Sequence, residues 1–172
     1  GLSHPKVASY PEILTGRRIA GQRVAIIGTG GIGFDVADHL LHQGKKSESP
    51  DSEAFYTEWG VDTQITAAGG LTQPAPAHAA RQITLFQRGT GRPGSGLGLT
   101  TGWVPRGRLR KYGVDIVSGC RYEKIDDRGL HYTIGEEARV AEVDTIIICA
   151  GQEPVNELAQ ALSARGIAAS LI

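Results

Sequence analysis

The chain contains no methionine, and its first residue is Gly1. An intact reading frame opens with methionine, so the sequence reads as a piece of a longer protein. At the other end, Ile167 to Ile172 reads as an apolar strand that breaks off. Cysteine is nearly absent: Cys120 and Cys149 are too few for a disulfide framework and lack metal-ligand spacing, which leaves both as reduced, packed thiols. No apolar run is long enough to span a bilayer and there is no signal peptide, so a soluble, cytoplasmic protein without a membrane partner is expected. The most informative absence is local. Between Thr63 and Val114 there is no Asp or Glu, while Arg81, Arg88, Arg92, Arg106, Arg108, Arg110 and Lys111 all fall there. Such a tract serves nucleic acid, an anionic surface or a small polyanion, or it is a solvated face with no ligand. Nucleic acid explains it only in part, because Trp103 is the sole aromatic between Arg88 and Lys111 and base-stacking surfaces interleave aromatics with cations.

What is present is glycine, 24 of 172 residues, with 40% hydrophobic residues, enough to build one domain over residues 1–172. The glycines are not scattered. The apolar strand Val24 to Ile27 runs directly into Gly28-Thr29-Gly30-Gly31-Ile32-Gly33, and a helix follows over Phe34 to Gln43. In a dinucleotide-binding turn Gly28 turns the chain sharply, Gly30 clears space for a pyrophosphate, and Gly33 lets the helix pack on the sheet. The phosphates then meet N–H groups around Gly31 and Ile32 at a helix N-terminus. A glycine turn kept only for close packing would carry the same three glycines; the strand before it and the helix after it favour the nucleotide.

Further along, 44–80 changes to Ser, Pro, Ala, Gly and Thr and reads as an insertion, helical around Ser52 to Trp59. Its aromatic trio Phe55, Tyr56 and Trp59 reads as a satellite core or a contact with other domains. Gln82 to Gln87 is a second strand, followed by the glycine-rich loop Gly91 to Gly102, a helix within Thr101 to Tyr112, and a third strand, Val114 to Val117. Close turn signals at Asp126-Asp127, Gly129 and Gly135 divide Tyr122 to Ile125, Leu130 to Ile134 and Arg139 to Ala141 into an antiparallel meander. Asp144 to Cys149 is a nearly continuous apolar run, as in a buried parallel strand, and Leu158 to Arg165 is a last helix. The fold class is therefore α/β: a Rossmann-like nucleotide-binding domain with a parallel sheet and a β-meander crossover.

The end of the second strand selects the nucleotide. An NAD site usually has Asp or Glu there, on the adenosine ribose. Here stand Gln87 and Arg88, with Arg92 close by. A guanidinium binds a 2′-phosphate through charge-assisted hydrogen bonds of about 1.5–3 kcal/mol, which favours NADP(H) over NAD(H) roughly tenfold to hundredfold. At the carboxyl end of the long apolar strand, Ala150-Gly151 lets the backbone approach the nicotinamide end, or forms only a strand-ending turn before Pro154.

These residues carry a family resemblance. His4-Pro5-Lys6-Val7 with Ser9-Tyr10, Val24 through Asp35, Glu58-Trp59-Gly60-Val61-Asp62 with Ala68-Gly69-Gly70-Leu71, Gln87-Arg88, Gly96-Leu97-Gly98 with Thr100-Thr101-Gly102-Trp103, and Ile148-Cys149-Ala150-Gly151-Gln152-Glu153-Pro154 resemble the NADPH domain of bacterial 2,4-dienoyl-CoA reductases. The resemblance spans nearly the whole chain. It implies a modular parent with an FMN-binding β/α barrel, a 4Fe–4S cluster, and FAD and NADPH domains. Electrons would pass from NADPH to FAD, through the cluster to FMN, and on to a dienoyl thioester. It also implies that this piece holds only the NADPH station and is inactive alone. Where family members often carry lysines after Gln-Arg, this chain has Gly89 and Leu99, and Arg92 is the candidate substitute. Two rivals remain: a structural ADP-binding domain of a trimethylamine-dehydrogenase-like flavoprotein, and a nucleotide-sensing module without redox chemistry. His39 and His42 have metal-compatible spacing but no third ligand, the sequence names no partner for His78 or His131, and Asp35 is placed to cap or orient the glycine turn or is an ordinary helix N-terminal acid. No catalytic acid or base is assigned, because hydride chemistry belongs to the cofactors.

Overall fold

The structure, a computed structural model, describes residues 1–43, 51–151 and 155–169. Residues 44–50 at the opening of the insertion, 152–154 after Gly151 and 170–172 at the end of the chain therefore lie outside the described residues. In chain order the elements are β1 (Val7–Ser9), α1 (Tyr10–Leu14), β2 (Arg23–Ile27), α2 (Gly31–His42), α3 (Ser52–Trp59), β3 (Gln82–Phe86), α4 (Trp103–Lys111), β4 (Asp115–Val117), β5 (Cys120–Asp126), β6 (Gly129–Ile134), β7 (Glu137–Ala141), β8 (Thr145–Ile148) and α5 (Glu157–Ala164).

Five strands form a parallel sheet in the order β1-β8-β2-β3-β4. Val24 of β2 lies opposite Ile83 of β3 on one side and Thr145 of β8 on the other, so β2 occupies the centre. The chain builds outward from β2 to β3 and β4, then returns to the opposite side as β8. The expected meander is present as the antiparallel sheet β5-β6-β7.

Both faces of the parallel sheet are covered, which explains its unbroken apolar strands. Val24, Ile26, Ile83, Leu85 and Ile147 pack against Phe34, Val36, Ala37, Leu40 and Leu41 of α2, with Ile13 of α1 and Leu109 of α4. Ala25, Ile27, Phe86 and Ile146 point the other way, into Cys120, Leu130 and Tyr132 of the meander. Phe86 and Tyr132 meet edge to face with ring centroids 5.1 Å apart. Each fully buried Leu or Ile here contributes about 1.5–3 kcal/mol. Cys120 and Cys149 are both buried free thiols in these two layers, and burial pushes the Cys149 thiol up to about 12.

β1 and α1 were not evident from the sequence. β1 has three residues, and its partner is β8, near the other end of the chain. The Glu12 carboxylate accepts from the Ser9 N–H at 2.8 Å and from its hydroxyl at 2.7 Å, fixing the entry to α1. In the insertion, α3 forms with the expected boundaries, capped by Asp51, yet buries none of its residues. Phe55 and Tyr56 remain exposed and touch one another, while Trp59 lies beneath Lys111 at 4.6 Å.

Two carboxylates fix the backbone, Asp144 between distant segments and Asp62 within a local turn. Asp144 accepts from the Arg23 guanidinium at 2.8 Å and from the Arg23 N–H at 2.9 Å, joining the start of β8 to that of β2. The Arg23 hydrogen bonds hold its carboxyl down at about 2. Asp62 accepts from the N–H groups of Ala67, Gln64 and Thr66 and is likewise held at about 2. Both folded-state values lie below the unfolded value of about 3.9, so the stability they add is present above that pH and is lost as pH falls toward 2. Thermal melts between these limits are expected to show a falling melting temperature, with a shallower fall in Asp144→Asn. A flat profile in the parent chain would refute the linkage.

Candidate functional site

The carboxyl ends of β2, β3 and β8 meet where the strand order reverses, which is where open α/β sheets bind ligands. An open cleft of about 580 Å³ lies there, lined by Ile27, Gly28, Phe86, Gln87, Arg88, Gly89, Tyr122 and Ala150. Four expected site residues, Gly28, Gln87, Arg88 and Ala150, thus share one wall-to-wall space.

The three motif glycines have distinct local reasons. Gly28 leaves β2 at φ 121°, and a Cβ there would stand 2.8 Å from the Cys149 carbonyl oxygen. A Cβ on Gly33 would stand 2.1 Å from the Gly28 carbonyl oxygen, so only glycine lets α2 start this close to the turn. Gly30 is different: a Cβ there would meet nothing within 4 Å. Its bareness serves no internal packing and leaves room for an external group. α2 begins at Gly31 rather than Phe34, with Gly30 as an N-cap that supplies no side-chain acceptor and no acid in the first turn. The first-turn N–H groups around Gly31 and Ile32 are therefore left to an outside acceptor. Asp35 is the fifth helical residue, exposed and beyond the first turn, so the capping role expected for it does not hold.

Gln87 works on the loop itself. Its carboxamide oxygen accepts from the Thr29 hydroxyl, and its nitrogen donates to the carbonyls of Gly89 at 3.0 Å and Gly91 at 2.6 Å. The side chain thereby ties the glycine turn to the loop bearing Arg88 and Arg92. The Thr29 carbonyl also accepts from Gly94 N–H at 3.1 Å, so the glycine-rich loop rests on the turn.

The basic tract resolves into two groups. Arg81 donates to the carbonyls of Ala20, Gly21 and Leu40; Arg106 donates to the Gly94 carbonyl; Arg108 pairs with Asp38 at 2.9 Å; and Lys111 pairs with Glu58 at 3.2 Å. These four hold the fold together. Arg88, Arg92 and Arg110 are exposed and, among the described residues, have no carboxylate partner. Of these only Arg88 lines the cleft. Arg92 follows on the same loop outside that lining. Gly151, at φ 81°, is exposed beside Ala150, with open space around it.

Tyr122 is the lining residue that the sequence left unmarked. It arrives from β5, and only the folding of the meander over the sheet brings it to the cleft. Burial raises its phenol to about 12, and the neighbouring Arg88 charge acts in the opposite sense.

Two of the histidines are tied into the fold. His131 Nε2 lies 2.8 Å from Asp126, the partner the sequence did not reveal, and His42 Nδ1 lies 2.8 Å from the Asp38 carbonyl oxygen. Among the described residues no group of His, Cys, Asp or Glu could hold a metal ion. No helix among them is long and apolar enough to cross a membrane.

The model of the pyridine nucleotide-disulphide oxidoreductase family matches residues 4–169. The chain belongs to that family. That family is one of pyridine-nucleotide oxidoreductases, which makes this an enzyme-related redox domain. A metal reductase of Desulforamulus reducens is 25% identical over 160 residues, covering 93% of this chain and 23% of that protein. Among solved structures, a 2-naphthoyl-CoA reductase in complex with 2-naphthoyl-CoA superposes with a TM-score of 0.67 at 16% identity, covering 97% of this chain and 20% of that one. A 6-hydroxypseudooxynicotine amine oxidase of Pseudomonas geniculata N1 gives 0.63 at 16% identity, covering 96% and 20%. The structural likenesses establish the fold alone. The chain spans between a fifth and a quarter of the length of these relatives.

Proposed function

We propose that this chain is the NADP(H)-binding domain of a flavin-dependent oxidoreductase whose parent reduces 2,4-dienoyl-CoA thioesters. One observation carries the nucleotide reading: the glycine turn and Arg88, an arginine without a carboxylate partner among the described residues, meet in one cleft. The residues present fit the cofactor. Gly30 leaves open space beside α2, whose first-turn N–H groups lack a side-chain acceptor. Those of Gly31 and Ile32 would hold the pyrophosphate, with Gly28, Thr29 and Gly33 shaping the turn. Arg88 would hold the 2′-phosphate, with Arg92 beside it on the loop, and Ala150 and Gly151 would border the nicotinamide end.

When bound, the reduced nicotinamide supplies a hydride to the FAD of the parent enzyme. The chain's own contribution is position and charge, since among the described residues no side chain lining the cleft is arranged for acid–base work. FAD, FMN and a 4Fe–4S cluster would sit in other domains of the parent, and its FAD-binding and barrel domains would be this domain's partners in the cytoplasm. The dienoyl-CoA assignment rests on the resemblance over nearly the whole chain, made specific by the insertion and the segment from Thr100 to Trp103.

A second reading is the structural ADP site of an amine-oxidising flavoprotein, favoured by the shared fold of the amine oxidase. Calorimetric titration of the chain with NADPH, NADH and ADP in parallel, at low and moderate salt, separates the two. Preference for NADPH by roughly tenfold or more, weakening with salt, supports hydride entry. ADP bound as tightly as NADPH supports the structural nucleotide.

The same titration tests the bracing role of Gln87. Gln87→Ala removes three hydrogen bonds of about 0.5–1.5 kcal/mol each that order the loop rather than touch a phosphate. NADPH and NADH are expected to weaken by the same factor, roughly tenfold. A loss confined to NADPH would instead make Gln87 a direct phosphate ligand.

A further inference from the structure

We propose that Tyr122 is a specificity-determining residue of this cleft, donating its hydroxyl to the ribose phosphate that Arg88 holds. The inference rests on the NADP(H) reading above and assigns a second donor to it. Three observations converge on this side chain. It lines the same cleft as Gln87, Arg88 and Gly89, although it comes from the meander rather than from the parallel sheet. The ring packs against the cluster containing Ile27, Phe86 and Tyr132, so packing fixes the direction of the phenol. Yet among the described residues its hydroxyl has no hydrogen-bond partner, whereas buried tyrosines normally find one.

The chemistry of the group selects its ligand. With a pKa raised to about 12, the hydroxyl keeps its proton at neutral pH and acts as a donor. Among the described residues that line the cleft there is no carboxylate to compete for Arg88. A cation and a neutral donor with no carboxylate between them suit a phosphomonoester, whose three oxygens accept from both. An uncharged ribose hydroxyl gains little from such a donor, because water replaces it at similar cost. Tyr122 would therefore discriminate rather than add affinity uniformly.

A phosphomonoester on an adenosine ribose occurs at the 2′ position in NADP and at the 3′ position in coenzyme A. Titration with adenosine 2′,5′-bisphosphate, adenosine 3′,5′-bisphosphate and 5′-ADP reads each alone, in the parent chain, Tyr122→Phe and Arg88→Ala. Tyr122→Phe keeps the packed ring, and an unchanged melting temperature checks that the fold is intact. It is expected to weaken the 2′,5′-bisphosphate roughly tenfold and leave 5′-ADP unchanged. If Arg88→Ala abolishes the 2′-phosphate preference but Tyr122→Phe does not alter it, the inference fails and the NADP(H) reading stands. If neither variant alters any preference, both fail. If the 3′,5′-bisphosphate is the tighter ligand and the one weakened, the site takes a coenzyme A headgroup, which overturns the 2′ assignment.

Discussion

Gly30→Ala is expected to abolish dinucleotide binding in a chain that still melts normally, whereas Gly33→Ala is expected to unfold it at much lower temperature. The two glycines sit three residues apart, and the contrast follows from what a methyl group would meet. At Gly33 it would lie 2.1 Å from the Gly28 carbonyl oxygen, a backbone atom that cannot swing aside. Overpacking typically costs 1–3 kcal/mol, and a clash with backbone lies at or above the top of that range. For a chain of this length, a cost of about 3 kcal/mol lowers the melting temperature by roughly 6–12 °C. At Gly30 the methyl meets nothing within 4 Å, and the backbone there, φ −81° and ψ −175°, is one alanine adopts freely. Stability should therefore be unchanged. The methyl would occupy the space reserved for the pyrophosphate, and an affinity loss of a hundredfold or more is expected, since phosphate N–H contacts are both lengthened and desolvated. Thermal melts beside calorimetry with NADPH decide it. Full binding by Gly30→Ala would remove the pyrophosphate from this turn.

Arg88→Ala is expected to weaken NADPH tenfold to hundredfold and leave NADH nearly unchanged. The guanidinium is exposed in the loop and has no hydrogen-bond or ion-pair partner among the described residues, so its removal should leave the fold as it is. Loss of charge-assisted hydrogen bonds worth about 1.5–3 kcal/mol gives the stated factor. The effect should shrink as salt rises, because the loop is open to solvent. Equal losses for both nucleotides would mean that Arg88 meets the pyrophosphate or the adenine rather than a 2′-phosphate. Arg92, on the same loop but outside the cleft lining, should give a smaller loss of the same kind.

Much of the architecture is legible because its signals are local. Val24 to Ile27 running into Gly28, Gly30 and Gly33 announces a βα unit within a dozen residues, and the structure forms β2 and α2 there. The turns at Gly129 and Gly135 mark the meander in the same way, and the run at 145–148 marks a strand buried on both faces. β1 is too short to announce itself: three residues become a strand only because β8 offers them a free edge.

The candidate site divides along the same line. The glycines and the pair Gln87-Arg88 stand out in the sequence, since backbone freedom and charge are properties of single residues. Which cations of the basic tract are spoken for was decided by tertiary structure: Asp38 on α2 claims Arg108 and Glu58 on α3 claims Lys111, leaving Arg88 to the cleft. Gln87, a candidate that lines the cleft, also proves to be a loop tie for the same reason, its partners being fixed only once β2 and β3 lie side by side. Tyr122 was invisible beforehand, because a side chain on a meander strand reaches the cleft only when that meander folds over the sheet. The sequence by itself determined the α/β class, the glycine turn and the sign of charge at the strand end, all encoded within a few consecutive residues. Only the tertiary structure decided which polar groups stayed free for a ligand, because partners far apart in the chain consume or spare each donor.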